Sequence, residues 1–140
     1  MAEDWFRGER EETKDYMKAW LELNPKHRLG QLINMQKYTE FKDISPKEFL
    51  EKEITVYRGI GAKEYDIEAA KAKTFESFTL SREKAIDFVE RYSNKGDLVT
   101  IVEARIKVID ILGFNNTMSE KEVFVDVNKV KDLTIKKFIR

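Results

Sequence analysis

Apolar positions along the chain follow two different rhythms, and the change comes near residue 52. Before it, Tyr16, Met17, Trp20 and Leu21, and then Leu29, Leu32 and Ile33, recur every three to four residues. That is the spacing of one buried helix face. Asn24-Pro25 separates these two predicted helices, because proline disfavours a helical residue before it and is accepted in a first turn. Ser45-Pro46-Lys47-Glu48 predicts a third, short helix, with serine as N-cap, proline at the first helical position and glutamate where a capping box wants it.

From Ile54 the texture turns β-branched and aromatic. Ile54 to Ile60, Phe75 to Leu80, Leu98 to Val108, Val123 to Val127 and Leu133 to Ile139 read as strands. Between the second and third, Ala85, Ile86, Phe88, Val89 and Tyr92 return to helical spacing behind the potential cap Ser81. Gly61 to Lys73, Ser93 to Asp97 and Leu112 to Met118 read as turns and loops. The expected fold is therefore α+β in a single domain, residues 1–140. A helical N-terminal section covers 1–52 and a strand-rich core covers 53–140.

Composition narrows the chemistry. At 140 residues the chain suits one hydrophobic core. Its 26 basic and 26 acidic residues cancel, so no global field draws it to nucleic acid or an anionic membrane. It has no cysteine and one histidine, His27, which excludes thiolate zinc sites, disulfides and a Ser-His-Asp triad as working hypotheses. No metal is expected. The start of the chain, Met1-Ala2-Glu3-Asp4-Trp5, is acidic, and with no signal peptide or membrane anchor in view the expected setting is cytoplasmic.

Three short pieces carry candidate chemistry. Glu120 and Glu122 stand two apart at a strand entrance, so in extended chain they share a face and can share a site. A fixed carboxylate of that kind can stabilise the oxocarbenium-like sugar left when a glycosidic bond breaks. Read alone, Ser-Glu-Lys-Glu is more often an exposed, solvated charged turn. Arg58 interrupts the largely apolar strand Ile54 to Ile60 and is followed by Gly59. A guanidinium there suits a phosphate or carboxylate, and the glycine allows close approach of a ligand. The competing reading puts Arg58 on the solvent side of an edge strand. Ser77 and Thr79 alternate along a short strand, either orienting a carboxylate or acting as ordinary polar strand positions. There is no Walker loop and no Rossmann glycine fingerprint.

In this order, the pieces resemble the mono-ADP-ribosyltransferase family of the arginine-serine-glutamate class, which includes toxin-type enzymes and small phage-encoded modifiers. Val56-Tyr57-Arg58-Gly59-Ile60 is similar to its first motif, Phe75 to Ser81 to its second and Ser119 to Val125 to its third. The resemblance covers Ile54 to the C-terminus. The second motif departs mildly, with Phe78 where threonine is commoner and Thr79 where serine is commoner.

The resemblance implies a mixed, mainly antiparallel two-sheet core and an enzyme of the glycosyltransferase class that consumes NAD as substrate. Arg58, Gly59, Ser77, Thr79 and Glu122 would bind NAD. Arg58 would hold its phosphates, the Gly59 backbone would meet the nicotinamide amide, and Ser77 would steady Glu122. Glu122 would stabilise the sugar cation and Glu120 would handle the acceptor, with Phe114 as a further acceptor contact. A glutamate at position 120 follows the pattern for arginine acceptors, so a target protein is the expected partner. A nucleic-acid acceptor and a catalytically silent domain that blocks a host protein by binding remain open alternatives.

Overall fold

The computed structural model describes residues 25–140. The first predicted helical stretch, Tyr16 to Leu21, lies outside the described residues.

Helix α1, Pro25–Gln36, buries Leu32 and Met35, while Leu29 and Ile33 stay exposed. The buried stripe is therefore narrower than the sequence spacing suggests. Buried Gln36 ends the helix usefully: its Nε2 donates to the carbonyls of Phe41 (2.9 Å) and Ile44 (2.8 Å) and ties down the following turn. Helix α2, Pro46–Phe49, starts where its capping sequence predicts, with Ser45 Oγ accepting from the Glu48 amide at 3.2 Å. Its Phe49 plugs the main core.

Strand β1, Glu53–Gly61, then enters the sheet. A short helix follows, α3, Ile67–Ala72, capped by Asp66 within the stretch expected to be a loop. Next come β2, Glu76–Thr79, helix α4, Arg82–Arg91, and β3, Leu98–Lys107. Strand β4, Gly113–Asn115, lies inside a second predicted linker, and β5, Glu122–Val125, and β6, Lys131–Ile139, complete the fold.

All pairings are antiparallel and the order is β4-β5-β2-β1-β3-β6. The expected pair of sheets is thus corrected to one six-stranded sheet. One register pair, Tyr57↔Thr79, makes the difference, because it alone joins β1 to β2. On either side the ladders are long: β1 runs against β3 from Glu53↔Lys107 to Gly61↔Thr100, and all four residues of β2 pair with β5. The sheet is two three-stranded halves stitched at a single point.

The main core lies on one face, where Ile54 and Val56 of β1, Phe78 of β2, Val102, Ala104 and Ile106 of β3 and Val123 and Val125 of β5 meet Leu32, Met35 and Phe49. Helix α4 covers part of the other face, packing Ala85 and Val89 on Val99, Ile101 and Tyr57. This explains why β3 is buried at consecutive positions from Val99 to Val102: strand alternation presents successive residues to two covered faces. Among the described residues, no helix is long and apolar enough to cross a membrane.

Candidate functional site

The stitched junction opens on one side into a small, half-open cleft of about 100 Å³. Arg58, Gly59, Ser77, Thr79, Glu120 and Glu122 line it together, so three segments separated by up to 64 positions converge on one place. Tyr57, Phe78, Lys84, Ala85 and Phe88 complete the wall.

Ser77 and Glu122 meet because of strand register. Thr79 pairs with Glu122 and Ser77 with Phe124, so Ser77, Thr79, Glu122 and Phe124 all project to the face opposite the main core. Along the diagonal of this ladder the Ser77 hydroxyl donates to Oε2 of Glu122, a charge-assisted hydrogen bond. Glu122 is 9% exposed, which places its carboxylate in the floor of the cleft. Thr79 acts on the neighbouring carboxylate's backbone: its Oγ1 donates to the Glu120 carbonyl at 2.9 Å, while the Leu80 amide donates to the Lys121 carbonyl at 3.0 Å. Thr79 therefore fixes the turn that delivers Glu120 and Glu122, and its hydroxyl is engaged in doing so.

That turn differs from the expectation of an extended strand entrance. Glu120 has helical dihedrals and closes a 3-10 turn, Thr117–Ser119, and strand β5 begins only at Glu122. Met118, Ser119 and Lys121 have φ of 58°, 58° and 50°, a left-handed conformation that costs non-glycine residues about 1 kcal/mol or more each. Asn116 compensates by accepting the Lys121 amide at 3.0 Å. Both carboxylates reach the cleft, through a left-handed kink at Lys121 instead of strand alternation.

Arg58 stands on a central strand, which removes the edge-strand reading. Had the β1–β2 ladder continued past Tyr57↔Thr79, Arg58 would face Phe78; the strands part instead, and the guanidinium fills the opening. Its Nη1 donates to the Ser77 carbonyl at 2.6 Å, and its Nε lies 3.5 Å from Oε2 of Glu76. The anion that this half-buried guanidinium calls for is thus supplied within the protein, by a glutamate that strand alternation could have flagged as a charge beside Phe78 on an inward face.

Gly59 lines the cleft and also has a packing use. A Cβ built there would lie 2.3 Å from the Ala85 carbonyl oxygen and 2.8 Å from Val89 Cγ2, so the space is taken by helix α4. The glycine lets the helix, carrying Lys84 and Phe88, sit against the sheet and form one wall of the cleft.

Phe114 is not displayed to an acceptor. It is 4% exposed, belongs to the main core and stacks at 5.7 Å on Tyr38. The accessible ring beside the turn is Tyr38, whose face lies 6.0 Å from the Lys121 ammonium. His27 sits on α1 beside Gln31, not among the residues that line the cleft. Among the described residues, no cluster of three His, Cys, Asp or Glu side chains is placed to hold a metal ion. No protein-family model, curated protein or solved structure matches the chain.

Proposed function

We propose that the protein is a mono-ADP-ribosyltransferase that moves ADP-ribose from NAD to a macromolecular acceptor, with an arginine side chain of a target protein as the leading acceptor. The observation that carries this reading is the hydrogen bond from Ser77 to Glu122 in a cleft that also contains Arg58 and Glu120.

In this reading the Arg58 guanidinium and the Lys84 ammonium offer positive charge to the diphosphate of NAD. The Glu122 carboxylate bonds the nicotinamide ribose 2′-hydroxyl. As the C–N bond to nicotinamide breaks, the electron pair leaves with the nicotinamide nitrogen and positive charge grows on the ribose. A carboxylate already oriented by Ser77 meets that charge without reorganising, an effect worth a few kcal/mol. The acceptor guanidinium nitrogen then forms the new C–N bond at the ribose carbon, and its proton passes to Glu120. Water in place of the acceptor gives NAD hydrolysis as the side reaction. The 65% exposure of Met118, two residues from Glu120, supports an acceptor that approaches from the side of this turn.

The test is direct. Purified protein incubated with labelled NAD and a cell lysate is expected to release nicotinamide and to label one or a few protein bands. Absence of both nicotinamide release and labelling would sink the assignment; label carried by nucleic acid alone would move the acceptor to the alternative class.

A further inference from the structure

Glu76 is 3% exposed, yet it lies outside the cleft lining, on the opposite face of β2 from Ser77. Burying a carboxylate is costly unless it is answered by charge and hydrogen bonds, and an apolar residue of similar size would often stabilise a fold as well. Its surroundings answer it fully. Lys73 Nζ donates to Oε1 at 3.2 Å, the Tyr65 hydroxyl donates to Oε2 at 3.2 Å, and Arg58 Nε lies 3.5 Å from the same Oε2. Burial first, and then the Glu76 charge, push the Tyr65 phenol well above its ordinary range, so it remains a donor. What this cluster supplies that an apolar residue could not is a direction for the guanidinium.

We propose that Glu76 is a positioning residue that anchors Arg58 from behind, by its Nε edge, and so keeps the guanidinium from collapsing onto the carboxylates of the cleft. This rests on the functional reading above, in which Arg58 binds the anionic part of NAD. The alternative partners are close: Glu120 and Glu122 line the same cleft as Arg58. Arg58 Nε is buried and makes no hydrogen bond among the described residues, so its charge is answered by the Glu76 ion pair alone on that side. Without Glu76, the Ser77 carbonyl is the remaining tether, and a guanidinium freed to turn pairs with Glu122. Bound NAD would then have to displace that internal pair, which lowers the binding-competent fraction and raises the apparent dissociation constant by the same factor.

The test is the Glu76→Gln variant of the full chain, which keeps side-chain size, assayed for NAD binding by calorimetry and for nicotinamide release. We expect KM and Kd for NAD to rise about tenfold, as for loss of one partly buried ion pair, with kcat changed less than about threefold. In an Arg58→Lys background the same substitution is expected to add less than about twofold, because Glu76 acts through Arg58. Tyr65→Phe, which removes one support and leaves the charge, should shift KM in the same direction by a smaller factor. It provides the measurement if Glu76→Gln does not fold. Unchanged KM in the variants, or an equal penalty with and without Arg58, overturns the inference while wild-type activity upholds the function. Wild-type protein that neither binds nor cleaves NAD overturns both.

Discussion

The Ser77 hydroxyl is bonded to Glu122, although its direct partner across the ladder is Phe124. The bond is diagonal, so it depends on the β2–β5 register as well as on the two side chains. A serine one position away would face the main core. We expect Ser77→Ala to lower kcat for nicotinamide release roughly 10- to 100-fold, the value of one hydrogen bond to a charged group, with a small change in Tm. Single-turnover assays beside thermal unfolding check both halves of that statement. An unchanged kcat would remove Ser77 from the reaction.

The two carboxylates are expected to separate by activity. Glu122→Gln should reduce nicotinamide release and protein labelling together by about 10²-fold or more, since under the proposed function it removes the charge that meets the sugar cation. Glu120→Gln should leave NAD hydrolysis near wild type and depress transfer to protein. Parallel assays of hydrolysis and labelling on both variants distinguish these roles; equal loss of the two activities in Glu120→Gln contradicts the division.

Gly59→Ala is expected to destabilise the fold by roughly 1–3 kcal/mol and to weaken NAD binding, because the added methyl strikes the backbone of α4 at Ala85. Backbone cannot rotate away as a side-chain tip can. Urea unfolding with an unchanged m-value and a lowered midpoint is the expected signature.

On the far side of β1, Glu53 pairs with Lys131 and, at 3.5 Å, with Arg105. The Lys131 hydrogen bond and charge, with Arg105, hold the Glu53 carboxyl below its ordinary 4.5 in spite of partial desolvation. A carboxyl depressed in the folded state stabilises above its unfolded value and loses that contribution as pH falls through the folded one. Wild type is therefore expected to exceed Glu53→Gln in stability at neutral pH, with the margin shrinking below about pH 4.5 and also under high salt. Chemical denaturation from pH 3 to 7 reads this out; a margin independent of pH would show that the pair contributes nothing.

Much of this fold was legible in the sequence because its signals are local. Ser45-Pro46 and Ser81 cap the helices they announce, and five of six strands lie where β-branched runs stand. Strand β4 has three residues, too few for a pattern, and exists because β5 offers it an edge. Helix α3 hid in a charged stretch, although Asp66 three residues before Ala69 is a cap that could have marked it. The convergence of Arg58, Ser77, Glu120 and Glu122 followed from the order of motifs. Lys84 and Tyr38 did not, because each reaches its place through packing between segments, whereas Glu76 went unread although it alternates onto the buried face with Phe78. The sheet count turned on Tyr57↔Thr79, a pairing no local pattern encodes.

That pairing has a mechanical meaning. Arg58 rides on one half of the sheet, and Ser77 with Glu122 on the other, so the walls of the cleft belong to two plates joined by one ladder pair and by the Arg58 side chain's own bonds to Ser77 and Glu76. A molecule that grips both walls adds a further fastening across the joint and raises the free energy of parting the plates with the logarithm of its concentration over its dissociation constant. Saturating ligand should accordingly slow hydrogen exchange most at the amides of Tyr57 to Gly59 and Ser77 to Thr79, which border the cleft, while the part of the β1–β3 ladder remote from it, from Glu53 to Val56, changes least.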